Sequence, residues 1–169
     1  MSCALTTGYT LPCRDGVGGL EWIAFAAFSS SDSITVSSGV VTALTLNSGQ
    51  FYKFEQAAET ASVTETETIS NQNGTVYYSQ EVQMIVNKMT VTERNELRLH
   101  AQNRMRIIFK DRNGTYWHVG ANVGAFKSNG VATTGTAFAD RNGFEQTYTA
   151  LETLPMYEVD SATISSLGL

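Results

Sequence analysis

The chain is short of charge. Asp, Glu, Lys and Arg make up 16% of its 169 residues, against roughly 25% in an ordinary globular protein. Of these, 16 are acidic and 11 basic, leaving a formal net charge of -5. The basic footprint that tight phosphate neutralisation demands is therefore missing, which argues against a dedicated DNA binder. Cysteine is equally scarce: Cys3 and Cys13 are the only two. They are too few for a disulfide framework, and no further ligands stand at a zinc-site spacing. A clip across the N-terminal segment is one reading; two reduced and partly buried thiols are the expectation for a cytosolic product. No apolar run approaches the roughly 18 residues of a membrane span. Met1-Ser2-Cys3-Ala4-Leu5 has neither a basic region nor an apolar core followed by a cleavage site, so a cytosolic product is expected.

What the chain has instead is hydroxyl and small side chains: Thr and Ser together outnumber all four charged types. Such a surface suits β-structure and subunit contacts. The length fits one domain with a real core. Residues 1–19 hold Pro12 and Gly16-Val17-Gly18-Gly19 without helical period, and read as an extended arm preceding a single domain over 20–169. The glycines lack the Lys-Ser/Thr ending of a phosphate-binding loop.

From Leu20 to Phe28 dense apolar residues mark a buried strand. Short β-prone pieces follow at Ile34 to Val36, Val40 to Leu46 and Gln50 to Phe54, punctuated by Ser-Gly and Asn-Ser-Gly. Thr60 to Ser70 then alternates strictly, with Val63, Glu65, Glu67 and Ile69 on one face and Thr64, Thr66 and Thr68 on the other. Asn73-Gly74 turns this strand into Thr75 to Met89, making one long hairpin. Thr90-Val91-Thr92-Glu93 fits a capping box opening a helix, with Leu97, Ala101 and Met105 as its apolar stripe against a sheet face. Met105 to Phe109 begins the next buried strand. Asn113-Gly114 turns it into Tyr116 to Val123, and the repeated Asp140-Arg141-Asn142-Gly143 is expected to turn tightly, with Gly143 at positive φ, before Phe144 to Leu151. The fold class is mainly β: a sandwich or barrel with a long hairpin and one helix.

Chemistry is hard to assemble from these parts. His100 and His118 have no Cys or Ser elbow beside them and read as structural histidines. Glu65 and Glu67 share a strand face but lie among threonines, without an aromatic sugar platform. Asp111, Asp140 and Glu145 match no calcium loop. No catalytic residue, metal or cofactor is expected.

Several runs resemble the tail-tube (major tail) proteins of bacteriophages, particularly those of Bacteroidota phages. They are Ala4-Leu5-Thr6-Thr7-Gly8-Tyr9-Thr10-Leu11 with Cys13-Arg14-Asp15; Met89 through Leu97; Ile107 through Gly120; and Thr134 through Glu152, with Pro155 after it. The resemblance implies a structural virion protein: a hexameric ring whose inner barrel is completed by neighbouring subunits, stacked into a conduit for DNA ejection. Its partners would be copies of itself, other tail proteins such as the tape measure and terminator, and DNA in transit, and its place the virion tail. On this footing the arm, through Leu5, Tyr9 and Leu11, is expected to reach an adjacent ring, and Glu65 and Glu67 to face the lumen. The same broad class includes the tube of a contractile or secretion-type injection machine and a capsid decoration or head-tail connector protein. A small-ligand-binding β-barrel or a hydrolase lacks a convergent polar constellation here.

Overall fold

The computed structural model describes residues 7–11 and 13–169. Among them the chain forms β1 (Leu20–Ala27), β2 (Ser33–Ser37), β3 (Val40–Thr45), β4 (Tyr52–Glu55), β5 (Ser62–Ser70), β6 (Thr75–Asn87), α1 (Val91–Gln102), β7 (Met105–Asp111), β8 (Tyr116–Val119), β9 (Phe126–Thr133), β10 (Gly143–Glu152), β11 (Tyr157–Val159) and α2 (Ser161–Ser166). The strands fall into two sheets, ordered β2-β3-β11-β8-β7-β1-β4 and β5-β6-β10-β9. Only the β3–β11 pairing is parallel. The architecture is mainly β and sandwich-like, with no closed barrel within the described chain.

The central strands β1 and β7 bury both faces, which is why they read as near-continuous apolar runs. Ile23, Phe25, Ile107 and Phe109 point into the core between the sheets. Trp22, Ala24, Ala26 and Ile108 point the other way, into a second core closed by Val41, Leu44, Phe51, Val159 and Ile164. By contrast, β6 and β10 alternate. Val82, Met84, Tyr148 and Ala150 are buried, while Gln83 and Glu145, on the opposite face, are exposed. That pattern belongs to an antiparallel sheet with one covered side.

Thr90 caps α1, its hydroxyl accepting from the Glu93 N–H at 3.3 Å. The buried stripe of the helix differs from the expected one: Leu97 and His100 face the core, Ala101 is exposed, and Met105 already belongs to β7. The helix stops at Gln102, and extended Asn103 starts the chain back toward the sheet. A second helix, α2, was not expected. Asp160 caps it, with its carboxylate accepting from the Ala162 N–H at 3.4 Å, and Ile164 closes the second core.

Two of the glycine turns sit between paired strands, with Gly74 at φ 63° joining β5 to β6 and Gly114 at φ 88° joining β7 to β8. Gly143 corrects the expectation placed on it: it is not left-handed but is the first residue of β10, and the bend lies upstream at 137–140. Glycine is needed at 143 for closeness, because a Cβ there would strike the Val86 carbonyl oxygen of the paired strand β6. Asn142 holds the same junction, its backbone and side-chain oxygens accepting from the Lys88 and Met89 N–H groups. Gly143→Ala is expected to destabilise the fold by about 1–3 kcal/mol, the usual cost of overpacking. Gly74→Ala, with open space around its Cβ, should cost only the left-handed backbone penalty of about 1–2 kcal/mol. Denaturant midpoints compare the two, and a wild-type midpoint for Gly143→Ala would refute the close-contact account.

Candidate functional site

The two histidines, the first candidates for chemistry, are both committed to packing. His100 Nδ1 lies 2.8 Å from the Tyr148 hydroxyl, and its ring packs on Phe25 and Phe54. Burial, helped by the Lys127 charge, lowers its pKa from 6.5 to about 4. His118 is fully buried on the far side of the seven-stranded sheet, where burial and the neighbouring Arg106 lower its pKa to about 3. Arg106 is itself buried and ion-paired to Asp32 at 3.1 Å, with side-chain exposures of 2% and 1%. Among the described residues no three His, Cys, Asp or Glu side chains are grouped to hold a metal ion.

The four-stranded sheet is the more informative surface. Pairing puts Val63 opposite Val82 and Glu65 opposite Gln80, so this face of β5 is the one turned toward the interior. Glu65 accepts from Gln80 Nε2 at 3.0 Å and from the Met156 N–H at 2.7 Å. Glu67, one pair further out and exposed, accepts from the Tyr78 hydroxyl at 3.1 Å. Both carboxylates therefore share the core-side face, and Glu65 is tied to the connection between the sheets.

The opposite face carries Thr64, Thr66 and Thr68 of β5, Ser79, Glu81 and Gln83 of β6, and Glu145, Thr147 and Thr149 of β10. From β9 it takes Phe126, Asn129 and Val131. No described element of the chain covers it. Not one of its strand residues is Lys or Arg; the single cation of β9, Lys127, turns inward and donates to the Leu97 carbonyl at 3.0 Å. Its two carboxylates are Glu81, which accepts from Gln83 Nε2 at 2.8 Å, and Glu145, 3.5 Å from Arg141.

Both edges of this sheet are open among the described residues, since β5 pairs only with β6 and β9 only with β10. Sequence reading found β5 and missed β9. An extra residue, Ser128, bulges from β9 between Asn129, opposite Thr147, and Lys127, opposite Tyr148, and Gly130 interrupts the strand, so no clean alternation is legible. Of the arm residues, Cys3 and Leu5 lie outside the described residues, and the Cys13 thiol is exposed where a partly buried one was expected. Tyr9 and Leu11 are 81% and 80% exposed and touch no core. Only the base of the arm is fixed, where Asn113 pairs through its side-chain amide with the backbone of Val17 at 2.8 and 3.0 Å.

No protein-family model, curated protein or solved structure matches this chain.

The buried histidines give a pH dependence with a defined sign. Both rings are neutral in the fold, whereas in the unfolded chain they titrate near 6.5. Below that value the unfolded state takes up protons that the fold refuses. The contribution is complete above about pH 6.5 and is lost as pH falls toward about 4 for His100 and about 3 for His118, at up to about 1.4 kcal/mol per pH unit for each ring. Urea unfolding between pH 8 and pH 4 should show this slope. His118→Gln, which keeps an acceptor for Arg106, should reduce the slope by about one proton. An unchanged slope would contradict the neutral buried ring.

Proposed function

We propose that the chain is a structural subunit of a bacteriophage tail tube, acting through self-assembly and not through catalysis. The observation that carries this reading is a four-stranded antiparallel sheet that no described element covers and whose edges both lack a partner among the described residues. The strand count is even, so β5 and β9 run in opposite directions, and β9 of one copy beside β5 of the next continues the antiparallel pattern. The same pairing can repeat from copy to copy until a ring closes, which removes the exposed edges.

The edges are also staggered. Along β10, residues Gly143 to Thr149 pair with β9, whereas on β6 it is Gln83 to Thr75 that pair with β5. The two edge strands overlap only near Thr147 and Gln83, so each step around a ring displaces the sheet along its strands. Closing a barrel requires this displacement together with strand tilt. In such a ring the threonine-rich face lines the lumen, with Glu81 and Glu145 as its carboxylates. Glu65 and Glu67 belong to the other side of β5. The strand residues of this lining carry hydroxyls and carboxylates but no cation, and the cations at its margin are engaged, Arg141 by Glu145 and Arg104 by the Phe126 ring, so passing phosphates meet few free charges to bind. The resemblance of the sequence to tail-tube proteins supplies the six-fold ring, the virion tail as location, and the tape measure and terminator as further partners.

Electron microscopy of concentrated protein should show rings or tubes. Backbone groups of neighbouring residues on an edge strand point alternately toward the partner and away, so of Thr66→Pro and Glu67→Pro one disrupts the β5–β6 ladder and the other removes an outward donor. The variant that keeps its circular dichroism should remain monomeric; rings from it would count against edge pairing. Glu81→Lys combined with Glu145→Lys should assemble, yet retain DNA at low salt and release it as salt rises. Salt-independent passage through the double variant would remove these residues from the lumen.

A further inference from the structure

The two ends of the four-stranded sheet differ in chemistry. At one end Asn87, Gly143 and Thr133 lie in register. At the other the β5–β6 hairpin runs on alone, because the last β10 pairing is Glu152 with Tyr78. Beyond it Ile69 and Val76 lie directly opposite each other, 59% and 45% exposed, with no third strand beside them. Glu67 is the next residue on their face, and its carboxylate meets only the neutral Tyr78 hydroxyl among the described residues. This is an apolar pair flanked by one anion.

The first end holds the converse. Met89, Val91, Ala132 and Phe144 border an open hollow of about 420 Å³, with Thr90 and Arg94 completing its rim. Val91 is 74% exposed although it opens α1. Arg94 is exposed and forms no ion pair with any described residue. An apolar hollow flanked by one cation thus lies at the opposite end of the sheet from the apolar tip flanked by one anion.

We propose that the Ile69–Val76 tip of one copy seats in the Met89–Val91 hollow of a second copy, with Glu67 against Arg94. The placement of the two copies in successive rings rests on the tube reading above, since barrel strands run along the axis apart from their tilt. Tip and hollow lie at opposite ends of the same sheet, so the contact is heterologous: every copy offers both halves, and association continues without closing. The apolar pair supplies buried area, and the charge pair selects this partner over a tip-to-tip meeting, which would bring two Glu67 carboxylates together.

The test uses the full chain with Glu67→Arg, Arg94→Glu, the double swap, and Val76→Asp, all at exposed positions. In electron micrographs each single variant should give rings while raising the concentration needed for stacks at least about tenfold; the double swap should return it to within about threefold of wild type. Single variants that stack like wild type, or a double swap no better than the singles, would overturn the contact. If wild-type protein forms no rings, the tube reading fails separately, and sedimentation equilibrium then decides. Open-ended association weakened by the same substitutions supports the tip contact, and a strict monomer refutes it.

Discussion

A charge inside the second core organises the corner from which the open sheet edge departs. Arg106, on β7, cannot give up its proton, and burial alone works against its charge. Its donors must therefore all be answered. Nε and Nη2 both go to Asp32 Oδ2, Nη1 donates to the Ala121 carbonyl at 3.0 Å, and the guanidinium stacks 4.8 Å over the Phe28 ring. Asp32 is in turn held by the N–H groups of Ser29 and Asn47. One ion pair thus fixes the chain after β1, the turn after β3 and the segment after β8. It also sets the tautomer of His118. Arginine only donates, so His118 Nε2, 3.4 Å from Nη1, presents its lone pair and the ring proton sits on Nδ1, which has no partner among the described residues.

The segment pinned at Ala121 then has to reverse direction in little space. Gly120 is left-handed at φ 68°, and a Cβ there would come within 2.7 Å of the Ala125 nitrogen. Its own N–H donates to Gln80 Oε1 at 3.0 Å, and Gln80 passes the connection on through Nε2 to Glu65. Glu152 answers the next two donors, the N–H groups of Asn122 and Val123. The two sheets are therefore joined by a polar stitch as well as by the core. Once Ala125 has bridged to Met105, the chain is released as β9 on the side of β10 away from β6, where the described chain offers no further strand. The open edge follows from how tightly the preceding corner is held.

Features whose cause is local were legible in the sequence. The capping threonine at 90, the Asn-Gly turn at 73–74, the double-faced apolar run of β1 and the alternation of β5 are each fixed by neighbours a few residues away. Features decided by distant contacts were not. Gly143 looked like a turn because Asn-Gly precedes a strand, but the Val86 carbonyl is what demands glycine there. Ala101 and Met105 extended a helical stripe that ends because the chain must reach β7. α2 has six residues, three of them serine, and holds its place through Ile164 in the second core and not through propensity. Alternation placed Glu65 and Glu67 together on one side of β5; which side faces inward was settled by the pairing of Val63 with Val82, invisible without the partner strand.

An uncovered sheet with two bare edges is an aggregation hazard unless wrong pairings are disfavoured. The edge strands carry opposite charge on their inward faces, the anions Glu65 and Glu67 on β5 and the cation Lys127 on β9. Pairing β5 with β5 gathers only anions on one face, and pairing β9 with β9 sets two cations there; both are unfavourable in a partly desolvated seam. Pairing β5 with β9 joins opposite signs. The two like-edge pairings are also two-fold symmetric and would consume one kind of edge in a dimer that blocks growth, whereas the mixed pairing leaves one edge of each kind free after every addition. The inward charges of the two edge strands would thus disfavour dead-end dimers and favour the head-to-tail order that the proposed ring requires.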